Sequence, residues 1–323
     1  MTVPSNTIQA VSRIGIREDL SDRIGELFPD DCPFQKMIGK ESASQVYHEW
    51  QTDSLTAANA DNKNVQGADL ANDSRANTVR QGNYTQIMTK VVGSSTTMEA
   101  SRTAGRASEL GRELMKAGRE LKTDAELRFT ANKAAVAPAS GTAGETAGAL
   151  AFMVTNSYLG TAGSPAQPTY SGSTTVGYPN AAATNGTQRT YTETLLKTAL
   201  ADVWKKGGNP KAVITDMGHK QIAAAFTGLA DARREAGDKQ LTIVAGADIY
   251  VSDAGSVQFV PSRFCSARDA FIVDPEYWAI AELDSLKVID LAKTGLATRK
   301  ALYQEVCLVS RNEAASAVIR DLT

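Results

Sequence analysis

SDAGSVQFVPSRFCSARDAFIVDPEYWAIAELDSLKVIDL, residues 252–291, decides the fold of this chain. Its apolar runs Val257–Val260, Ala270–Val273, Trp278–Leu283 and Leu286–Leu291 are each of strand length, and Gly, Pro and Asp separate them. That punctuation predicts several short strands and no long helix. The stretch holds no cluster of residues suited to chemistry. A second stretch, DLSDRIGELFPDDCPFQKMIGK at 19–40, reads as a short amphipathic helix, a Pro-punctuated turn and a second apolar anchor. Both stretches describe surfaces and not a reaction.

Outward from these, residues 1–40 begin as a polar arm, and Ile16, Leu20, Ile24 and Leu27 then recur at helical spacing. Pro33–Phe34 and Met37–Ile38 read either as a clamp onto another surface or as part of an ordinary core helix. Residues 41–97 read as one long excursion. Gln45–Trp50 is its outgoing strand and Tyr84–Val92 the returning one. The Asn-, Asp- and Ala-rich stretch between them is too poor in large apolar groups to pack a core. A connection of that length inside a compact domain is uncommon unless it is functional.

Residues 98–134 carry the strongest helical pattern. No proline occurs from Met98 to Val136, and Leu110, Leu114, Ala117, Leu121, Ala125 and Phe129 make one apolar stripe. A continuous helix there would run for ~50 Å. Residues 136–190 are dominated by Ala, Gly, Ser, Thr, Pro and Asn and read as loop, with small islands at Leu150–Val154 and Tyr158–Leu159.

Residues 191–264 read as mixed helix and strand. Thr192 caps a helix with Leu195, Leu196, Ala199, Val203 and Trp204 on its inner stripe. Lys211–Thr215 is a short buried strand, Met217–Phe226 a second helix, and Leu241–Ala245 and Ile249–Ser252 further strands. Residues 265–323 are again strand-rich and close with Leu302–Ser310 and Ala314–Leu322.

The totals exclude several classes. The chain has 323 residues, is 42% hydrophobic and 22% charged, and carries a formal charge of -2. That is globular composition. It lacks the basic excess of a dedicated nucleic-acid binder or a polybasic membrane-surface protein. No apolar run approaches the ~20 residues of a membrane span, and no signal peptide is read, so a cytosolic origin and no membrane partner are expected. Cys32, Cys265 and Cys307 are widely spaced and flanked by apolar residues or Pro, which predicts buried, reduced thiols.

No catalytic, cofactor-binding or metal-binding residue is assigned. The two histidines, His48 and His219, have no partner at a metal-ligand spacing. No GxSxG elbow, GxxxxGK[ST] or GxGxxG occurs. Asp30–Asp31 and Asp73 read as turn or cap residues, and Lys205–Lys206 and Arg233–Arg234 as solvated surface. Asn72, Asn83 and Asn185 stand in N-x-[ST] sequons, which have no meaning without secretion.

The order of parts resembles the major capsid protein of tailed bacteriophages with the Hong Kong 97-type fold, and more closely its short-tailed-phage major head protein branch. The carrying segments are REDLSDRIGELFPDDCPFQKMIGK at 17–40, HEWQTDSL at 48–55, residues 252–295, and RNEAASAVIRDL at 311–322. The resemblance implies an α+β fold. It makes 1–40 an N-arm and 41–97 an extended loop, a long β-hairpin overlapping the adjacent subunit. Residues 98–190 become a peripheral domain with a spine helix at 98–134 and a Gly/Ser/Thr-rich segment. Residues 191–264 become an axial domain, and 265–323 strands returning to the peripheral domain.

The resemblance further implies a structural virion protein and no enzyme, with no cofactor. It would assemble in the bacterial host cytoplasm, as pentamers and hexamers of itself, around non-specifically held double-stranded DNA. Portal, scaffolding or decoration proteins are the further partners. No motif marks Lys40, Lys63 or Lys90 for cross-linking. The rival readings are an encapsulin-like nanocompartment shell, a phage adhesin or enzyme using 136–190 as a binding loop, and a DNA-binding protein.

Overall fold

The computed structural model describes residues 28–323 apart from 30, 68, 70, 71, 74, 76, 102, 104–106, 174, 227–248, 254 and 294. The amphipathic stripe Ile16–Leu27 and the strand expected at Leu241–Ala245 lie outside the described residues.

Two sheets organise the chain. The first has four strands in the order β1 (Gly39–Ser42), β12 (Trp278–Asp290), β13 (Ala297–Ser310) and β4 (Gln86–Ser95). β1 runs parallel to β12, and the other pairs are antiparallel. On β4, Met88 and Ser94 point inward while Ile87, Thr89 and Val91 are exposed, the period-2 pattern of a half-buried strand. A 22-residue helix, α3 (Glu109–Thr130), lies on the inward face and buries Ala117, Leu121, Ala125 and Phe129.

The expected helix from Met98 to Ala134 is therefore shorter and preceded by a break. A separate turn of helix, α2 (Thr96–Ala100), ends at Ser101 in extended backbone. α3 then starts afresh because the Ser108 hydroxyl accepts the Gly111 N–H at 3.1 Å. That capping bond satisfies a donor that a continuous helix would have paired with its own carbonyls. At 1.5 Å per residue the observed spine is ~33 Å long. It ends where the chain crosses itself: a Cβ on Gly148 would sit 2.1 Å from the Ala131 carbonyl oxygen, so only glycine fits.

The second sheet has six strands, ordered β5 (Ser157–Tyr158), β14 (Ala317–Ile319), β11 (Ala270–Val273), β8 (Ala212–Thr215), β10 (Gly255–Pro261) and β9 (Ile249–Ser252). β8, β11 and β14 are buried at every position, because this sheet is covered on both faces. Val213, Ile272, Phe259 and Tyr250 pack toward α5 (Glu193–Lys205) and α6 (Met217–Ala223). Ala212, Ile214, Phe271 and Val273 point the other way. They join Leu121, Phe129, Trp278 and Leu308 in one core shared with the four-stranded layer.

Residues 265–323 consequently do not return to one layer. β12 and β13 complete the four-stranded sheet, whereas β11 and β14 are inner strands of the six-stranded one. The Gly/Ser/Thr-rich segment is also less loop-like than its composition. α4 (Ala149–Phe152) is fully buried, β5 joins the six-stranded sheet, and β6 (Thr169–Tyr170) pairs with β7 (Pro179–Ala181).

The hairpin expected in 41–97 forms with a different return strand. β2 (Tyr47–Thr52) pairs antiparallel with β3 (Val79–Tyr84), Tyr47 opposite Tyr84. Most of 84–92, read from sequence as the return, is β4 and pairs with β13 instead. Both segments have strand composition. The choice is set by burial of Asn83 and Met88 against the rest of the chain, which no local pattern displays.

Candidate functional site

The hairpin is a firmly rooted arm. Asn83 is fully buried, and its amide donates to the Thr146 hydroxyl at 2.8 Å and the Leu308 carbonyl at 2.7 Å. Its carbonyl oxygen accepts the Ala147 N–H at 2.9 Å. The sequon reading of Asn83 is thereby closed. Tyr47, Tyr84 and Tyr178 stack around the base, with ring centroids 4.7, 5.0 and 6.1 Å apart. The Tyr47 ring lies on Gly82, where any Cβ would fall within 3 Å of it. Trp50 packs on Phe152 at 6.1 Å. Beyond Thr52 the character changes: every described residue from 53 to 78 is exposed, Leu55 at 97% and Val65 at 80%.

A second root ties the N-terminal side of the chain to the spine. α1 (Pro33–Met37) has no side-chain cap of its own. Glu126 of α3, fully buried, supplies one by accepting the N–H groups of Phe34 at 2.8 Å and Gln35 at 3.0 Å. The Gln35 amide donates to the Lys122 carbonyl at 2.9 Å. Burial pushes the Glu126 carboxyl up, and the Gln35 and Phe34 N–H groups partly offset it. Phe34 itself contacts Phe271 and Trp278, so Pro33–Phe34 anchors in the core shared by both layers. Between α1, α3 and β12 runs a groove of about 500 Å³ with Leu121, Phe129, Ile280 and Val306 on its floor and Lys40 and Lys122 on its rim.

Residues singled out for chemistry are dispersed. His48 pairs with Glu41 at 3.2 Å, and Arg311 meets the same carboxylate at 2.9 Å, which ties the start of β2 to β1 and the end of β13. His219 is buried beside Tyr191, and among the described residues neither ring nitrogen has a hydrogen-bond partner. Lys40, Lys63 and Lys90 each face a carboxylate: Glu282 at 2.6 Å, Asp61 at 3.4 Å and Asp124 at 2.7 Å. Asp31 pairs with Lys36, and Lys205 with Asp202. Arg233–Arg234 and Asp30 lie outside the described residues. Among the described residues no three His, Cys, Asp or Glu side chains gather as a metal site, and no helix is long and apolar enough to cross a membrane.

All three cysteines are buried, reduced thiols. Burial pushes the Cys32 thiol up to about 11 and the Cys307 thiol to about 12, and raises Cys265 as well. Thiolate is the reactive form, so the native chain should be inert to a thiol reagent at pH 7 and release three thiols on denaturation. A native thiol titrating within minutes would place a cysteine at the surface.

The architecture has a capped spine on a long-stranded sheet, a second sheet with its own helices, and a projecting hairpin. This is the Hong Kong 97-type capsid fold. Solved structures of that class share it: the capsid asymmetric unit of Cyanophage A-1(L) superposes with a TM-score of 0.66 over 95% of this chain and 97% of that one, at 14% identity. The capsid of a native GTA particle does so with a TM-score of 0.60, covering 97% and 98%, at 11% identity. The family model for the SU10 major capsid protein matches residues 3–323, and this chain belongs to that family. It is similar to the major capsid protein of Escherichia phage Phieco32, 26% identical over 334 aligned positions that cover 94% of each chain. The chain is thus the major capsid protein of a phage, a structural component of the virion shell. The nanocompartment, adhesin and DNA-binding readings find no support in these matches.

Proposed function

We propose that copies of this chain close as pentamers and hexamers into an icosahedral head shell around packaged double-stranded DNA, and that it catalyses no reaction. The carrying observation is the hairpin: a root of buried Asn83 and stacked tyrosines supporting an excursion from 53 to 78 with no core of its own. A segment held so firmly at its base and so exposed beyond it gains stabilising contacts only from another chain. Rings of five and six need such heterologous contacts, and each can be modest because many act together.

In this reading 1–40 is the N-arm, leaving the body at the Glu126 clamp, and 41–97 is the extended loop reaching the adjacent subunit. The four-stranded layer with α3 is the peripheral domain. The six-stranded layer, built from 191–264 together with β5, β11 and β14, is the axial domain at the five-fold and six-fold centres. Assembly takes place in the host cytoplasm, with portal, scaffolding or decoration proteins as further partners. The net charge of -2 suits a wall that encloses DNA without gripping it.

Deleting residues 55–76 should leave a folded subunit with an unchanged melting temperature, because none of the described residues there is buried. Negative-stain microscopy and light scattering should then show no closed shells. Normal shells from the deletion would overturn the assignment of the hairpin.

A further inference from the structure

The four-stranded sheet has two outer edges that differ. β1 covers only the first part of β12, pairing with Ala279–Glu282, so among the described residues the remainder of β12 has no partner on that side. That stretch is irregular, with register shifts against β13 between Glu282 and Asp284 and again between Asp284 and Lys287. Bulges of this kind twist an edge and discourage pairing. β4, at the opposite edge, has none of these safeguards. It pairs with β13 without interruption from Gln86 to Ser95 and contains no proline. Its one charged side chain, Lys90, is turned to Asp124 and Glu120 of its own spine helix. Among the described residues no backbone hydrogen bond reaches its outer side.

The exposed row on β4 is Ile87, Thr89 and Val91, with Ile87 59% and Val91 53% exposed. This row is self-complementary. In an antiparallel pair centred on Thr89, Ile87 of one copy faces Val91 of the other on both sides, and the two threonines face each other. Apolar β-branched pairs and Thr–Thr pairs are the cross-strand combinations that stabilise antiparallel sheet. The ammonium groups of Lys90 are neutralised within each subunit, so the approach brings no like-charge penalty.

We propose that β4 is a two-fold contact, at which β4 of a second copy adds antiparallel with Thr89 opposite Thr89 and joins two four-stranded sheets into one of eight strands. The inference rests on the capsid reading for its role, that of a joint between neighbouring rings, but its geometry can be tested apart from shell formation.

The test is disulfide trapping in the full chain under mild oxidant, both before and after assembly. Opposed Cβ atoms in such a pair are ~5 Å apart, within reach of a disulfide after small adjustment. The three native cysteines are buried and do not compete. Thr89→Cys should give a covalent dimer on a non-reducing gel, Ile87→Cys and Val91→Cys singly should not, and the Ile87→Cys/Val91→Cys double variant should. Single-variant dimers from Ile87→Cys or Val91→Cys exceeding those of Thr89→Cys would overturn the register. Intact shells with no Thr89→Cys dimer would overturn the contact while leaving the capsid reading in place. A Thr89→Cys dimer from a chain that never forms shells would uphold the contact and count against the shell.

Discussion

Leu121→Asp should leave no folded subunit. Leu121 is 1% exposed at the centre of the spine stripe, wedged between the four-stranded sheet and the core it shares with the six-stranded layer. Losing a buried leucine costs about 2–5 kcal/mol. Placing an unpaired carboxylate in the space adds several more. The sum is on the order of the whole stability of a domain, roughly 5–15 kcal/mol. The expected result is insoluble or protease-sensitive chain with no cooperative melt. Leu114→Asp is the control. The stripe alone predicts that it unfolds the subunit equally, but Leu114 is only half-buried near the start of α3, so its charge can reach water. It should melt lower and still fold. A Leu121→Asp chain that assembles normally would show that the spine does not lean on this residue.

Arg320→Ala should be the costliest change among the polar residues. Arg320 is 3% exposed, and its guanidinium donates to the Ser157 hydroxyl at 3.0 Å and to the Leu150 carbonyl. Its charge faces Asp269 and Asp321, both buried. Burial raises the Asp269 carboxyl, and Arg320 is the principal cation opposing that rise. Removing the cation withdraws the largest charge opposing the burial of Asp269, leaving it the Ser266 hydrogen bond and Arg268, a loss of up to roughly 3–5 kcal/mol.

The pH dependence follows. A carboxyl whose folded value lies above its unfolded value is best tolerated when protonated. Without Arg320 the Asp269 value rises further, so the deficit of Arg320→Ala should shrink as pH falls through that raised value. Asp321 behaves oppositely. Burial pushes it up, but the Gly160 and Gly186 N–H groups and the Arg268 guanidinium outweigh burial and hold it below the ordinary range. Its contribution is present above the ordinary aspartate range and is lost as pH falls through the depressed value. Urea midpoints of Arg320→Ala and the parent at pH 7 and pH 5 check the first sign, and those of Asp321→Asn and the parent from pH 5 down to about pH 2 check the second. A pH-independent deficit for Arg320→Ala would show that packing, not charge, sets the cost.

Much of the fold was legible where local pattern and burial agree. Val257–Val260, Ala270–Val273 and Trp278–Leu283 are strands or parts of strands as their composition predicts. Thr192 caps α5 with the expected hydroxyl bond. The buried, reduced cysteines and the long exposed excursion were likewise readable from apolar neighbours and from a polar stretch too long for a compact loop. The family resemblance rested on segments spread along the chain, and the family match spans residues 3–323.

The chain by itself determined which segments are strand, helix or exposed arm, because periodicity, caps and turn residues act over a few positions. Tertiary structure alone decided which strand answers β2 and how 265–323 divides between two sheets. It also decided that Glu126 caps a helix 92 residues earlier in the chain. Each of these is a choice among segments of equal local propensity. They are settled by which arrangement buries Phe34 and Met88 together with a fully hydrogen-bonded Asn83, and that is a property of the assembled core.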